Sequence, residues 1–174
     1  MKTHGMLMIA GLFAFSFATF VAAQKNAPVK VEMHNAQGQD IGSATLSSAP
    51  QGVNINLELV NLPPGEHALH VHQNAKCDGP AFTTAGPHLN PDMKRHGLQN
   101  PDGPHAGDMP NFTVDAHGMV KATLVAPGVT LGKDSHSVFS NGGTALVIHA
   151  KADDQKTDPA GNAGDRIACG IVRK

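Results

Sequence analysis

"VNINLELVNLPPGEHALHVHQ", residues 53–73, decides how the chain is read. From Val53 to Leu59 apolar and polar residues alternate strictly, which is the period of a strand with one face buried and one wet. The same stretch then runs into His70 and His72, separated only by Val71. On a strand, residues two apart point to the same face. The two imidazoles therefore project side by side while Val71 turns the other way, into the core. His67 is out of phase with them, which favours packing or a structural hydrogen bond for that ring.

The alternation extends outward from this stretch. "VKVEMH" (29–34) shows it, with "NAQGQ" (35–39) and "SSAPQG" (47–52) as breaks. "GMVKATLVA" (118–126), introduced by the turn-like "DAHG" (115–118), and "TALVIHA" (144–150) repeat it, and "IACGIV" (167–172) reads as a final strand. No long stretch beyond the first 23 residues carries a capped helical period. Short strands separated by turn signals predict an antiparallel sandwich or barrel.

Residues 1–23 read as a secretory signal: Lys2, then the apolar run "MLMIAGLFAFSFATFVAA" closed by small residues, with cleavage expected after Ala23. No Cys stands beside the cleavage point to take a lipid. The reading leaves one compact domain, 24–174, exported to a periplasm or secreted, with no membrane span in its mature form. Losing Lys2 takes the formal charge from −1 to −2, which argues against nucleic-acid and polybasic membrane partners. Phe82, Phe112 and Phe139 are the aromatic residues left, so the core must be built mostly from Val, Leu, Ile and Ala. Cys77 and Cys169 form an even pair in an exported chain and read as a disulfide.

Two segments break the pattern. Residues 77–111 hold 11 Gly or Pro in 35 positions, and the second irregular stretch, "DDQKTDPAGNAGDR", covers 153–166. Loops this long in a compact domain are functional or disordered. The first contains His88, His96, His105 and Asp108, and His149 ends the strand "TALVIH". Six histidines and one aspartate in loops and strand ends point to transition-metal binding. With the cysteines oxidised no thiolate remains, nitrogen donors suit copper and zinc, and the carboxylate suits zinc. Seven side chains fill two four-coordinate sites only if one deprotonated imidazole binds through both nitrogens, and spacing alone does not say which.

In order, "HVH", "GPHLNP", "HG", "HAGDMPN", "ALVIHAKADD" and "GNAGDRIACGIV" resemble the copper–zinc superoxide dismutase family over nearly all of the mature chain. The short second loop is similar to that of the bacterial exported branch. The resemblance implies an eight-stranded antiparallel Greek-key barrel with two long functional loops. It implies copper on His70, His72, His88 and His149, and zinc on His88, His96, His105 and Asp108, so that His88 is the shared ring. It gives Arg166 the task of guiding and holding superoxide, Asp153 that of hydrogen-bonding a ligand ring on each metal, and Cys77 and Cys169 the family disulfide.

The implied activity is dismutation of superoxide to dioxygen and hydrogen peroxide by a redox-cycling copper, with His88 taking and returning a proton. A monomer and a homodimer both occur among such bacterial proteins. A metal buffer of the same fold and a structural or adhesion β-sandwich that uses zinc only for stability are the competing readings; the presence of all four copper positions and of Arg166 favours the enzyme over the buffer. Lys151 and Lys156 are candidate aids to substrate attraction, although exposed lysines are by default solvated. Surface positions are expected for His34, His117 and His136.

Overall fold

The alternating segments form strands, in the order β1 (Val29–Asn35), β2 (Asp40–Ala49), β3 (Gly52–Leu59), β4 (Gly65–His67), β5 (Leu69–His72), β6 (Phe112–Val114), β7 (Val120–Ala126), β8 (Thr144–His149) and β9 (Arg166–Val172). The computed structural model describes residue 1 and residues 27–174; the signal segment predicted for 1–23 lies, apart from Met1, outside them. Seven strands make one antiparallel sheet in the order β5-β8-β9-β1-β2-β3-β7, and β4 pairs with β6. Contact of β6 with β7 brings the ends of this arrangement together into a barrel. After β3 the chain crosses the barrel end to β4, and β7 later returns to pair with β3, which is a Greek-key connection.

The strand count differs from the expected eight, and the reason is local. Residues 65–72 change partners at Ala68: β4 bonds to β6, β5 bonds to β8, and Ala68 exchanges bonds with Lys151 and His149 instead. Counted as one bent strand, β4 and β5 restore eight.

Inside the barrel lie Val31, Met33, Leu46, Ile55, Leu57, Leu69, Val71, Leu124, Leu146 and Ile148. Every residue of β8 is buried, because the outward side chains Ala145 and Val147 are covered by Phe82, Ala85 and the Cys77–Cys169 disulfide. That second layer is why β8 is buried on both faces and not on one, as the expected alternation would have it. Leu146→Ala should cost about 2–5 kcal/mol, since a filled interior cannot close over the lost methyl groups. Chemical denaturation of the variant against the parent measures it.

The free edge of β5 is closed by the first loop. Val71 donates to the Gly107 carbonyl and accepts from Leu89, and Gln73 and Asn74 bond to Pro87 and Ala85. A Cβ on Gly107 would run into the Val71 carbonyl, so this approach needs glycine. The pairing draws His88 opposite His72. Among the described residues no helix is long and apolar enough to cross a membrane.

Candidate metal centre

His70 and His72 stand on the outer face of β5, and the loops bury both completely. His149 joins them from β8, where the pairing with β9 skips Ile167 and sets His149 opposite Arg166. This bulge re-aims both side chains toward one place. His88, His96, His105 and Asp108 arrive from the first loop, and Asp153 from the start of the second. All are buried.

Hydrogen bonds at one nitrogen of each ring leave the other nitrogen bare. His70 Nε2–H donates to Asp153 Oδ2 at 2.9 Å, and its buried Nδ1 has no partner. His72 Nδ1–H donates to the Gly86 carbonyl at 2.7 Å, and His149 Nδ1–H to that of Gly164 at 3.2 Å. The bare Nε2 atoms of His72 and His149 then face each other at 3.4 Å. His88 Nε2, also buried, has no partner. The donor atoms of His70, His72, His88 and His149 lie within 4.8 Å of one another.

On the far side of His88 the donors converge on Asp108. Its Oδ2 accepts the backbone N–H groups of Gly97 and His105 at 2.8 and 2.9 Å, which presents Oδ1 inward. Oδ1 lies 3.0 Å from both His88 Nδ1 and His96 Nδ1, and 3.6 Å from His105 Nδ1. His105 Nδ1 is 3.3 Å from His88 Nδ1. Four ligands about 2.0–2.1 Å from a tetrahedral zinc stand about 3.3–3.4 Å from one another. The observed spacings straddle that edge length, and the orphaned nitrogens need a cation, so the residues fit the two ions. His70 also lies within 4.8 Å of the donors of His88, His96 and Asp108. His105 Nδ1 stands beside the same donors, 3.3 Å from His88 Nδ1 and 3.6 Å from Asp108 Oδ1.

The electrostatics follow from burial and from the two carboxylates. Burial holds His88 down at about 3 and His149 at about 4, and pushes His72 well below the ordinary histidine value. These rings are kept neutral, the form that binds a metal. His96 is the exception. Burial lowers it, but hydrogen bonds to Asp108 and Asp153 outweigh burial and raise it to about 9. Against the opposing effect of burial, hydrogen bonds from His105, His88 and His96 hold Asp108 below the usual carboxylate range, and those from His70 and His96 do the same for Asp153.

Asp153 connects the two groups: Oδ2 accepts from His70, and His96 Nε2 lies 3.0 Å from Oδ1 and 2.9 Å from Oδ2. Asn111 grips its backbone at both ends, with Nδ2–H donating to the Asp153 carbonyl at 2.8 Å and Oδ1 accepting the N–H at 2.9 Å. Gly161 packs directly beneath, at φ 61°, where a Cβ would strike the Asp153 carboxylate and lie 2.8 Å from His96 Nε2. Gly161→Ala should therefore lower zinc affinity about 10–100-fold, the cost of disturbing a ligand's outer partner. Competition with a chromogenic chelator reads it out.

Arg166 stands at the rim of a cleft of about 490 Å³ above His72, His88 and His149. Its Nη1 and Nη2 donate to the carbonyls of Phe82 and Gly86 at 2.8 and 2.9 Å. The Gly86 carbonyl thus serves both Arg166 and His72. Cys77 and Cys169 are bonded, tying this part of the first loop to β9.

Some of the centre gives no signal in the sequence. Asn111 grips a backbone, Gly86 offers its carbonyl and Gly161 its lack of a side chain, in positions where an amide or a glycine is ordinary. His67 is buried, with its ring nitrogens 2.8 Å from the carbonyls of His149 and Pro63. It thus makes the structural bond expected of it and steadies a neighbouring ring's backbone. His34 and His117 are exposed, whereas His136 is half-buried and bridges Gly128 and Asp92.

An antiparallel barrel carrying two adjoining histidine-rich donor groups, both of which include His88, defines a protein built to hold transition-metal ions. The family model for copper/zinc superoxide dismutase matches residues 41–172. The chain belongs to the copper/zinc superoxide dismutase family. It is 49% identical over 168 residues to "Superoxide dismutase [Cu-Zn] 1" of Aquifex aeolicus, covering 95% of this chain and 96% of that one. A copper–zinc superoxide dismutase of Caulobacter vibrioides is 40% identical over 139 residues, 78% of this chain and 80% of that one. Among solved structures, the Cu/Zn superoxide dismutase of Brucella abortus matches with a TM-score of 0.69 at 30% identity, covering 84% of this chain and all of that one. A SOD-like protein from Bacillus subtilis matches with a TM-score of 0.78 at 37% identity, covering 82% and 96%.

Proposed function

We propose that this protein dismutes superoxide, turning two superoxide anions and two protons into one dioxygen and one hydrogen peroxide. The observation that supports it most is His88, a buried ring whose Nε2 faces three other bare imidazole nitrogens and whose Nδ1 faces Asp108. In this reading His70, His72, His88 and His149 hold copper, and His88, His96, His105 and Asp108 hold zinc. Copper supplies one-electron redox chemistry and zinc a fixed positive charge.

The chain's own groups do the rest. Arg166, pinned by two carbonyls, keeps N–H groups and a positive charge at the cleft to hold the anion beside His72 and His149. His88 Nε2 takes up a proton and gives it back within the buried site. Asp153 fixes the tautomers of His70 and His96 by accepting from Nε2 of each, which leaves both Nδ1 atoms free to bind. Ala160 narrows the cleft less than a larger residue would.

We assign residues 1–23 to a signal peptide and 24–174 to the dismutase domain. The protein then works outside the cytoplasm, in a periplasm or beyond it, as a monomer or a homodimer. The disulfide and the bacterial relatives support export.

The test is metal analysis with an activity assay on the exported protein. One copper and one zinc per chain, a visible copper absorption and superoxide removal faster than the same copper free in solution are expected. Full metal content without turnover would leave a metal-binding protein and sink the enzyme.

A further inference from the structure

His96 and His105, the two rings assigned to zinc alone, each turn one nitrogen toward the other donors and one away. For His96 the outward nitrogen is Nε2, and Asp153 holds it. For His105 the inward nitrogen is Nδ1, 3.3 Å from His88 Nδ1, so the outward one is again Nε2. The carboxylate facing it belongs to Asp158, whose Oδ1 stands 3.8 Å away. That is longer than a hydrogen bond, so the carboxylate reaches the ring through its charge. A negative charge on this side favours the proton at Nε2 and leaves Nδ1 with the lone pair that a cation takes.

Asp158 is held where it stands. Its Oδ1 also accepts the His96 N–H at 2.8 Å, and its Oδ2 lies 3.3 Å from Arg95 Nη1. The Arg95 side chain is 65% exposed and takes the other oxygen, so it offsets the charge at Oδ1 only in part. The backbone around Asp158 is clasped to the first loop by bonds that do not use its side chain. Asn100 Nδ2–H donates to the carbonyls of His96 and Lys156 at 3.0 and 3.1 Å, and the Gln99 N–H to that of Gln155 at 3.0 Å. The second loop thus brings two aspartates to the zinc donors, Asp153 from within and the half-buried Asp158 from outside.

We propose that Asp158 is the positioning residue for His105: its charge sets which nitrogen of that ring is offered to zinc, and its bond to the His96 N–H fixes where the neighbouring ligand stands. The proposal rests on the zinc assignment made above and deepens it. Among the described residues its hydrogen bonds run to His96 and Arg95, not to His70, His72 or His149, so copper content should not follow it.

The experiment compares Asp158→Asn and Asp158→Ala with the parent, and takes Arg95→Gln as the reference. Zinc affinity is read by competition with a chromogenic chelator. Asp158→Asn should lower it about three- to tenfold, since the amide keeps an acceptor for the His96 N–H and loses the charge. Asp158→Ala should lower it about 10–100-fold, since it loses both. Arg95→Gln should stay within about twofold. Cobalt(II) loaded in place of zinc gives a second readout: its visible absorption should change in Asp158→Asn and match the parent in Arg95→Gln. The rise in Tm on adding zinc should shrink in both Asp158 variants, while the metal-free Tm stays within about 2 °C of the parent's. Parental zinc affinity and cobalt absorption in Asp158→Ala, or a metal-free Tm that falls as far as the loaded one, would leave Asp158 a loop tie and overturn its role. If the variants lose zinc as expected but the loaded parent does not remove superoxide, the enzyme reading fails and the role of Asp158 stands. If the parent takes up no zinc, both fall.

Discussion

His149→Ala should cut superoxide removal by more than about a hundredfold and still leave one zinc per chain. The first part follows from the ring's position: its bare Nε2 stands 3.4 Å from that of His72, so its removal takes a donor out of the proposed copper set. Loss of a partner that merely orients a ligand costs 10–100-fold, and loss of the ligand itself costs more. The second part follows from what survives. The His149 carbonyl still faces the His67 ring and its N–H still reaches Ala68. The zinc set of His88, His96, His105 and Asp108 does not include it. His70→Ala makes a useful contrast. It removes a proposed copper donor and also a hydrogen bond to Asp153, so it should weaken zinc as well. Assay of turnover beside copper and zinc content separates the variants, and undiminished turnover in either overturns the copper assignment.

Replacing both Cys77 and Cys169 by serine should produce the largest loss of stability. The bridge closes a separation of 92 residues, for which the chain-entropy model gives roughly 4–5 kcal/mol, a large share of the 5–15 kcal/mol that holds a domain together. A fall of about 10–20 °C in Tm corresponds to that figure for a domain of this size. Activity should fall too, at temperatures where the variant is still folded. The bridge tethers the segment whose Phe82 and Gly86 carbonyls hold Arg166, and Gly86 also orients His72. Calorimetry on the metal-loaded and metal-free forms, with an activity assay well below the transition, measures both effects. A double variant that keeps its Tm would show that the loop is anchored by its backbone pairing to β5 alone.

The alternation of Val53 to Leu59, the burial of Val71 and the shared face of His70 and His72 were legible because a strand enforces a period of two on every residue in it. The break at Ala68 was not. Its cause is a change of hydrogen-bonding partner, which depends on residues some 80 positions away and leaves no local mark. β6 was invisible for a related reason: three residues are too few to show a period. The first loop was recognisable as functional by its histidines and its Gly and Pro content, yet nothing in its spacing announced that Gly86 would serve two side chains. Ligand chemistry is carried by residue type and can be read. Backbone carbonyls and N–H groups that aim the ligands are common to every residue and cannot.

Asp153 has one further consequence. Because a single carboxylate grips both His70 and His96, the two pockets are not thermodynamically independent. An ion arriving in either pocket settles the carboxylate and one ring that the second ion would otherwise have to order. Loading is therefore expected to be cooperative, and by reciprocity each metal tightens the hold on the other by the same factor.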